Sequence, residues 1–138
     1  MPRPRVLLLM SPETYRAGDF LSGAEAAGVD VVVATRSKPA LADTYPDRYL
    51  PFPFNDLTRA REAVSAFHAR LPIDAVLAVD DEGVIPAAGV ADVLGLRHNT
   101  IGAARLTRDK AFMRRTLSDR GGPSPWYLAF DSAADLED

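Results

Sequence analysis

The sequence predicts an α/β fold built on a doubly wound, mainly parallel sheet, and three observations predict it. Short apolar runs without alternation, at residues 6–10, 31–34 and 73–79, have the pattern of strands covered on both faces. Between them lie stretches of helical periodicity, each roughly 10–15 residues long. Glycines and prolines punctuate the transitions. Strands that alternate with helices in this way give a parallel sheet joined by right-handed crossovers.

The first run, Val6 to Met10, is preceded by Pro2 and Pro4 and closed by Ser11-Pro12. It is too short for the apolar core of a secretory signal or for a membrane span, so it reads as a buried strand. Ala17, Phe20, Leu21, Ala24 and Ala27 then recur on one helical face, with Gly28 placed as a stop. The run at 31–34 follows and ends at Thr35-Arg36-Ser37. Across 36–56, Pro39, Pro46, Pro51 and Pro53 forbid a long helix, and residues 49–54 fit a short edge strand, where proline is tolerated. Leu57, Ala60, Val64, Phe67 and Leu71 mark an amphipathic helix capped by Asn55 or Asp56. The buried strand at 73–79 is broken by Asp80-Asp81-Glu82. Residues 84–94 are apolar nearly all round, as in a helix packed into a sheet layer, and Gly95 ends them.

After Asn99 the texture changes. A short helix is expected at 100–106, and Thr107 or Asp109 caps a second helix that reaches Arg120. Gly121-Gly122 stops it ahead of Pro123 and Pro125. Residues 126–130 read as a strand, and 132–138 as the first turn of another helix. The expected organisation is an α/β domain over 1–106, with 107–138 a linker helix and the first strand of a second domain. A strand at Trp126 without a partner element points to a fragment of a longer protein. Its open apolar residues are able to drive association, for instance as a homodimer.

Composition narrows the function classes. With 47% hydrophobic and 25% charged residues, the 138-residue chain is ordinary for a soluble globular protein. A net charge of −3 and a pI near 5.3 argue against broad nucleic-acid binding. The absence of cysteine excludes a disulfide scaffold, a zinc ribbon and a thiol nucleophile, and suits a reducing cytoplasm.

In an open parallel sheet, ligands collect outside the carboxyl ends of the strands, here the loops at 11–18, 35–39 and 80–83. The first loop holds Gly18 alone, so it lacks a dinucleotide fingerprint, and Arg16 there reads as a surface charge. Asp80, Asp81 and Glu82 repel one another and require compensation. Either they favour the start of the following helix, or they bind an amine or orient a neighbouring domain. Lys110 and Arg114 are four apart and share a helix face with no acidic residue four away. A phosphate partner explains them, as does a solvated basic face. His68 borders an apolar helix face, and His98 has no second ligand at metal-binding spacing. There is no Gly-x-Ser-x-Gly elbow and no P-loop.

Read in order, residues 80–125 carry the acidic turn, the apolar helix, Leu94-Gly95-Leu96-Arg97-His98-Asn99, Ala103-Ala104, Arg108-Asp109-Lys110-Ala111-Phe112-Met113-Arg114, and Gly121-Gly122-Pro123-Ser124-Pro125. This set resembles the passage from the pre-ATP-grasp domain into the ATP-grasp module of ATP-grasp ligases. Those ligases include carboxylate–amine ligases, biotin carboxylase, carbamoyl phosphate synthetase and the glycinamide ribonucleotide synthetases. The earlier part of the chain matches in layout only. The resemblance implies a Rossmann-like pre-ATP-grasp domain followed by the start of an α+β ATP-grasp subdomain. It implies ATP and Mg²⁺, and a carboxylate activated as an acyl phosphate for capture by an amine or similar nucleophile.

On this resemblance Lys110 matches the lysine, arginine in some members, that contacts ATP phosphates. Arg114 matches the basic position one turn later, and Asp109 the cap that directs the lysine. Asp81 and Glu82 lie, by position alone, toward the substrate cavity. Gly122 departs from the apolar residue that many members carry before Pro-x-Pro. The adenine-contacting strand and the Mg²⁺ ligands of the family fall beyond residue 138, so the chain alone is expected to be catalytically inert. The implied partners are small-molecule carboxylates and amines, with no nucleic acid and no membrane, in the cytoplasm. Two alternatives stand beside it. Acidic residues after a buried strand suit a receiver-like module, although the first strand ends in Met10-Ser11-Pro12 rather than an acidic pair. A nucleotide-binding α/β module without ligase activity is the other, and the missing glycines count against it.

Overall fold

The computed structural model describes residues 2–12, 14–37 and 42–130. Four strands, β1 (Arg5–Leu9), β2 (Asp30–Thr35), β3 (Tyr49–Pro51) and β4 (Ala75–Ala78), form one sheet in the order β3-β2-β1-β4. All neighbours are parallel, with Val6 beside Val31 on one side and Ala75 on the other. The helices are α1 (Ala17–Ala26), α2 (Leu57–Arg70), α3 (Val84–Val93), α4 (Ile101–Leu106) and α5 (Lys110–Asp119), with a 3₁₀ turn at Asp81–Gly83. The chain is α/β, as its alternating pattern predicts. It divides into two compact units, Met1–Ala104 and Arg105–Asp138.

The unbroken apolar run of β1 has a direct cause in the first unit. Successive side chains of a strand face opposite ways, and helices lie on both sides of this sheet. Leu7 and Leu9 join Val32, Ala34, Ala60, Val64, Phe67 and Val90 in the larger core, which α2 and α3 cover. Leu8 and Met10 pack with Val79, Val31, Val33, Ala17 and Phe20 in a smaller core beneath α1.

Coverage of the two faces is unequal, which corrects one expectation. The apolar run at 73–79 predicts a strand buried on both faces. Only Ala75–Ala78 pair as β4, and Leu77 is 48% exposed. The helix on that face, α1, links β1 to β2 and contributes no fully buried residue. A groove of about 420 Å³ remains there, lined by Val6, Leu8, Phe20, Val31 and Leu77 among others.

The ends of the elements follow local chemistry. Asp56, one of the two candidate caps, is the N-cap of α2, its Oδ1 accepting the Arg59 N–H at 3.0 Å. β3 is an edge strand, shorter than the span 49–54, because Pro51 ends it. The chain still donates from Phe52 N–H to the Thr35 carbonyl at 2.9 Å. α3 stops at Gly95, whose φ of +64° is disfavoured for residues with a Cβ. Gly95 N–H bonds the Asp92 carbonyl and Leu96 N–H the Ala91 carbonyl, a Schellman closure that turns Leu96 back onto the larger core.

His68 does more than border the apolar face of its helix. Its Nδ1 accepts the Ile73 N–H at 3.1 Å, joining the end of α2 to the approach of β4. Ile73 is 1% exposed, so its N–H has no water to turn to. His68→Ala is expected to cost about 1–3 kcal/mol, the penalty of a buried donor left unpaired. Urea unfolding of the variant measures it.

In the second unit, the composition of residues 126–130 predicts a strand, and they form none. A strand is defined by its ladder, and no partner pairs with this segment among the described residues. Trp126 and Leu128 are 83% and 62% exposed. The helical turn expected at 132–138 lies outside the described residues.

Candidate functional site

The strand order β3-β2-β1-β4 reverses direction at β1, since β2 and β3 build to one side and β4 to the other. In parallel α/β sheets the crevice outside the carboxyl ends of such a strand pair is the preferred ligand position. Ser11 follows β1 there and Asp80 follows β4. The Ser11 N–H donates to Asp80 Oδ2 at 3.0 Å, and below it Val79 N–H donates to the Leu9 carbonyl at 3.0 Å. The other carboxylate oxygen, Asp80 Oδ1, is buried and has no hydrogen-bond partner among the described residues. An unsatisfied buried polar atom costs about 1–3 kcal/mol, and more when charged.

The three carboxylates of the acidic turn thus stand in different surroundings. Asp80 is half-buried at the crevice and makes no side-chain cap for the 3₁₀ turn. Asp81 is exposed at the start of that turn. Glu82 forms an ion pair with Arg36, whose guanidinium also lies 5.3 Å from the centre of the Phe54 ring. Because Arg36 follows β2 and Glu82 follows β4, this pair ties the two neighbours of β1 together beyond their carboxyl ends.

Gly83 makes the arrangement sterically feasible. A Cβ there would stand 3.0 Å from Ala78 Cβ and 3.2 Å from Leu9 Cβ, both fixed to strand backbone. Glycine lets the acidic turn rest directly on the ends of β1 and β4. Gly83→Ala is expected to destabilise the first unit by about 1–3 kcal/mol through overpacking. Thermal unfolding reads the loss, and displaced amide resonances of Asp80 and Glu82 read the shift of the turn.

In the second unit, Asp109 is the N-cap of α5, its Oδ1 accepting the Phe112 N–H at 2.9 Å. Lys110 is the first residue of that helix, exposed, and forms no ion pair among the described residues. Arg114, one turn on, is half-buried with its guanidinium 5.5 Å from the Tyr127 ring centre. The two cations therefore differ: one stands in solvent and the other is stacked on an aromatic ring. α5 ends in a second Schellman closure, with Gly121 at φ +70°, Gly121 N–H to the Ser118 carbonyl and Gly122 N–H to the Leu117 carbonyl. At Gly122 a Cβ would come within 3.2 Å of that carbonyl oxygen, which gives its small size a local reason.

An exposed ammonium at a capped helix start is chemically suited to a phosphate. Magnesium is a different matter. Among the described residues no group of three or more His, Cys, Asp or Glu could hold a metal ion. His98 instead lies 3.5 Å from Asp92 through Nε2, beside the closure of α3. No magnesium site is assigned to these residues.

Sequence comparison decides the family. Residues 21–98, more than half of the chain, match the ATP-grasp N-terminal domain. The chain belongs to that family. Solved structures share its fold. The L-amino acid ligase from Bacillus licheniformis aligns with a TM-score of 0.74 at 23% identity, covering 100% of this chain and 36% of that one. The phosphoribosylglycinamide synthetase from Anaerococcus prevotii aligns with a TM-score of 0.62 at 14% identity, covering 99% and 34%. At these identities the likeness is one of fold, and this ATP-grasp N-terminal domain chain spans about a third of either protein's length. No curated protein sequence matches it.

The structure also brings forward residues that sequence reading passed over. Arg36, Ser11 and Gly83 stand at the switch point with the acidic turn. Arg36 carried a usable signal, a basic residue directly after a buried strand. Gly83 carried another, a glycine between an acidic run and an apolar helix. Ser11 had none, because it acts through its backbone N–H. No described helix is long and apolar enough to cross a membrane.

Proposed function

We propose that this chain is the N-terminal, pre-ATP-grasp part of an ATP-dependent ligase that joins a small-molecule carboxylate to an amine or similar nucleophile. The observation that carries the proposal is the ATP-grasp N-terminal domain match, followed in sequence by a capped helix that opens on an exposed lysine. On this reading residues 1–106 form the pre-ATP-grasp domain and 107–138 the linker helix and start of the ATP-grasp subdomain. The reaction takes place in the cytoplasm, where ATP is supplied.

The chemistry has two steps. A carboxylate oxygen attacks the γ-phosphorus of ATP, ADP departs, and an acyl phosphate forms. The amine nitrogen then attacks the acyl carbon, inorganic phosphate departs, and the amine loses its proton. Catalysis of this kind rests on positioning and on neutralising phosphate charge. Lys110 supplies one positive charge to the ATP phosphates, and Arg114, held on Tyr127, supports it one turn later. Asp81 and Glu82 border the substrate side of the first unit. Mg²⁺ contributes further charge neutralisation from ligands outside this chain, and the chain by itself is inert.

Hydroxylamine trapping tests the proposal on the full-length protein. Given ATP·Mg²⁺ and a panel of amino acids and other small carboxylates, it should form a hydroxamate with stoichiometric ADP and phosphate. The 138-residue chain alone should form none. Release of AMP and pyrophosphate would mean adenylation and would sink the acyl-phosphate reading.

A further inference from the structure

We propose that Asp80 is the amine-receiving residue of this domain, its carboxylate accepting a hydrogen bond from an N–H⁺ of the substrate at the β1/β4 switch point. The inference rests on the ligase reading for the amine's role as nucleophile, the bound ammonium releasing one proton to solvent before its nitrogen attacks, but the site itself stands on geometry. Asp80 Oδ2 is engaged by the Ser11 N–H at 3.0 Å, and Oδ1 is buried with no donor among the described residues. Buried polar atoms are almost always paired, so an orphan at a ligand-binding edge marks a missing partner. That partner must be a donor, because a carboxylate only accepts.

Its charge follows from the neighbours. Glu82 is already compensated by Arg36, and the guanidinium is further held against Phe54. Asp80 has no such cation among the described residues, since its hydrogen bond comes from a neutral backbone N–H. A protonated amine supplies the missing donor and charge together. Oδ1 itself is buried, while the residue as a whole is only half-buried and the terminal torsion of an aspartate is broad, so binding requires the carboxylate to turn as the amine enters. Asp81 and Glu82, singled out in the sequence, then serve as exposed and arginine-bound neighbours of the residue that binds.

Amide and side-chain carboxyl NMR of the 138-residue chain tests the assignment, with methylammonium and tetramethylammonium chlorides as probes at equal ionic strength. Both are monocations, and only the first donates a hydrogen bond. Methylammonium should shift the Ser11 and Asp80 amides and the Asp80 Cγ resonance saturably, and tetramethylammonium should not. Asp80→Asn, which keeps an acceptor for Ser11 but loses the charge, should weaken methylammonium binding about tenfold or more. Equal shifts with both cations would mean charge attraction alone and overturn the inference. So would no shift at all, which would leave Oδ1 to a bound water. Should the Asn variant misfold, the wild-type Cγ resonance still separates the two cations unaided. If hydroxamate forms in the ligase assay while methylammonium fails, only Asp80's role falls. If methylammonium binds while the ligase assay fails, the amine site survives and the ligation reading does not.

Discussion

Lys110→Ala in the full-length protein is expected to weaken ATP·Mg²⁺ binding by about 10- to 100-fold. A hydrogen bond to a charged group contributes about 1.5–3 kcal/mol, and each 1.4 kcal/mol is a factor of about ten in affinity. The effect should appear without loss of stability, because Lys110 is exposed and makes no ion pair among the described residues. The cap of α5 is also untouched, since it runs from Asp109 Oδ1 to the Phe112 N–H. Lys110→Arg keeps the charge and should retain most of the affinity. Isothermal titration of the three proteins checks this, and equal affinity for wild type and alanine variant would remove Lys110 from the site.

The largest stability effect is expected at Leu9. It is fully buried at the carboxyl end of β1, in the core shared with Val32, Val64, Phe67 and Val90. Leu9→Ala removes three carbons from a close-packed layer and leaves a cavity that rigid strands on either side cannot collapse. Such changes cost about 3–5 kcal/mol, against a total stability of about 5–15 kcal/mol for a domain. In a unit of this size that lowers Tm by roughly 12–30 °C. Leu77→Ala on the open face is the control. Leu77 is 48% exposed, so it should lose well under half as much. Equal losses at the two positions in thermal unfolding would refute the unequal coverage of the sheet.

Much of the fold is legible in the chain because local chemistry specifies it. Val6 to Met10 is apolar at every position, which only a strand covered on both faces can use, and β1 lies at that place in the sheet's interior. Asp56 and Asp109 precede amphipathic runs, and both cap helices. Gly95 and Gly121 follow helical runs, the first apolar nearly all round and the second amphipathic, and stop them. Two expectations fail for one shared reason. Leu77 and the stretch 126–130 have the composition of buried strand, but burial and pairing depend on what lies alongside, which composition does not encode.

The candidate site divides along the same line. Lys110, Arg114, Asp81 and Glu82 are readable as residue types at suggestive positions. Their present partners are not: Arg114 lies against Tyr127, and Glu82 against an arginine from the far side of β1. The sequence by itself determined the α/β alternation, the helix boundaries and the ATP-grasp signature, because periodicity, caps and motif order act between residues close along the chain. Only the tertiary structure decided that Asp80 meets Ser11, that Arg36 meets Glu82 and that Gly83 must be small. Those contacts exist because parallel strands bring the loops that follow them to one edge, however far apart they lie in the chain.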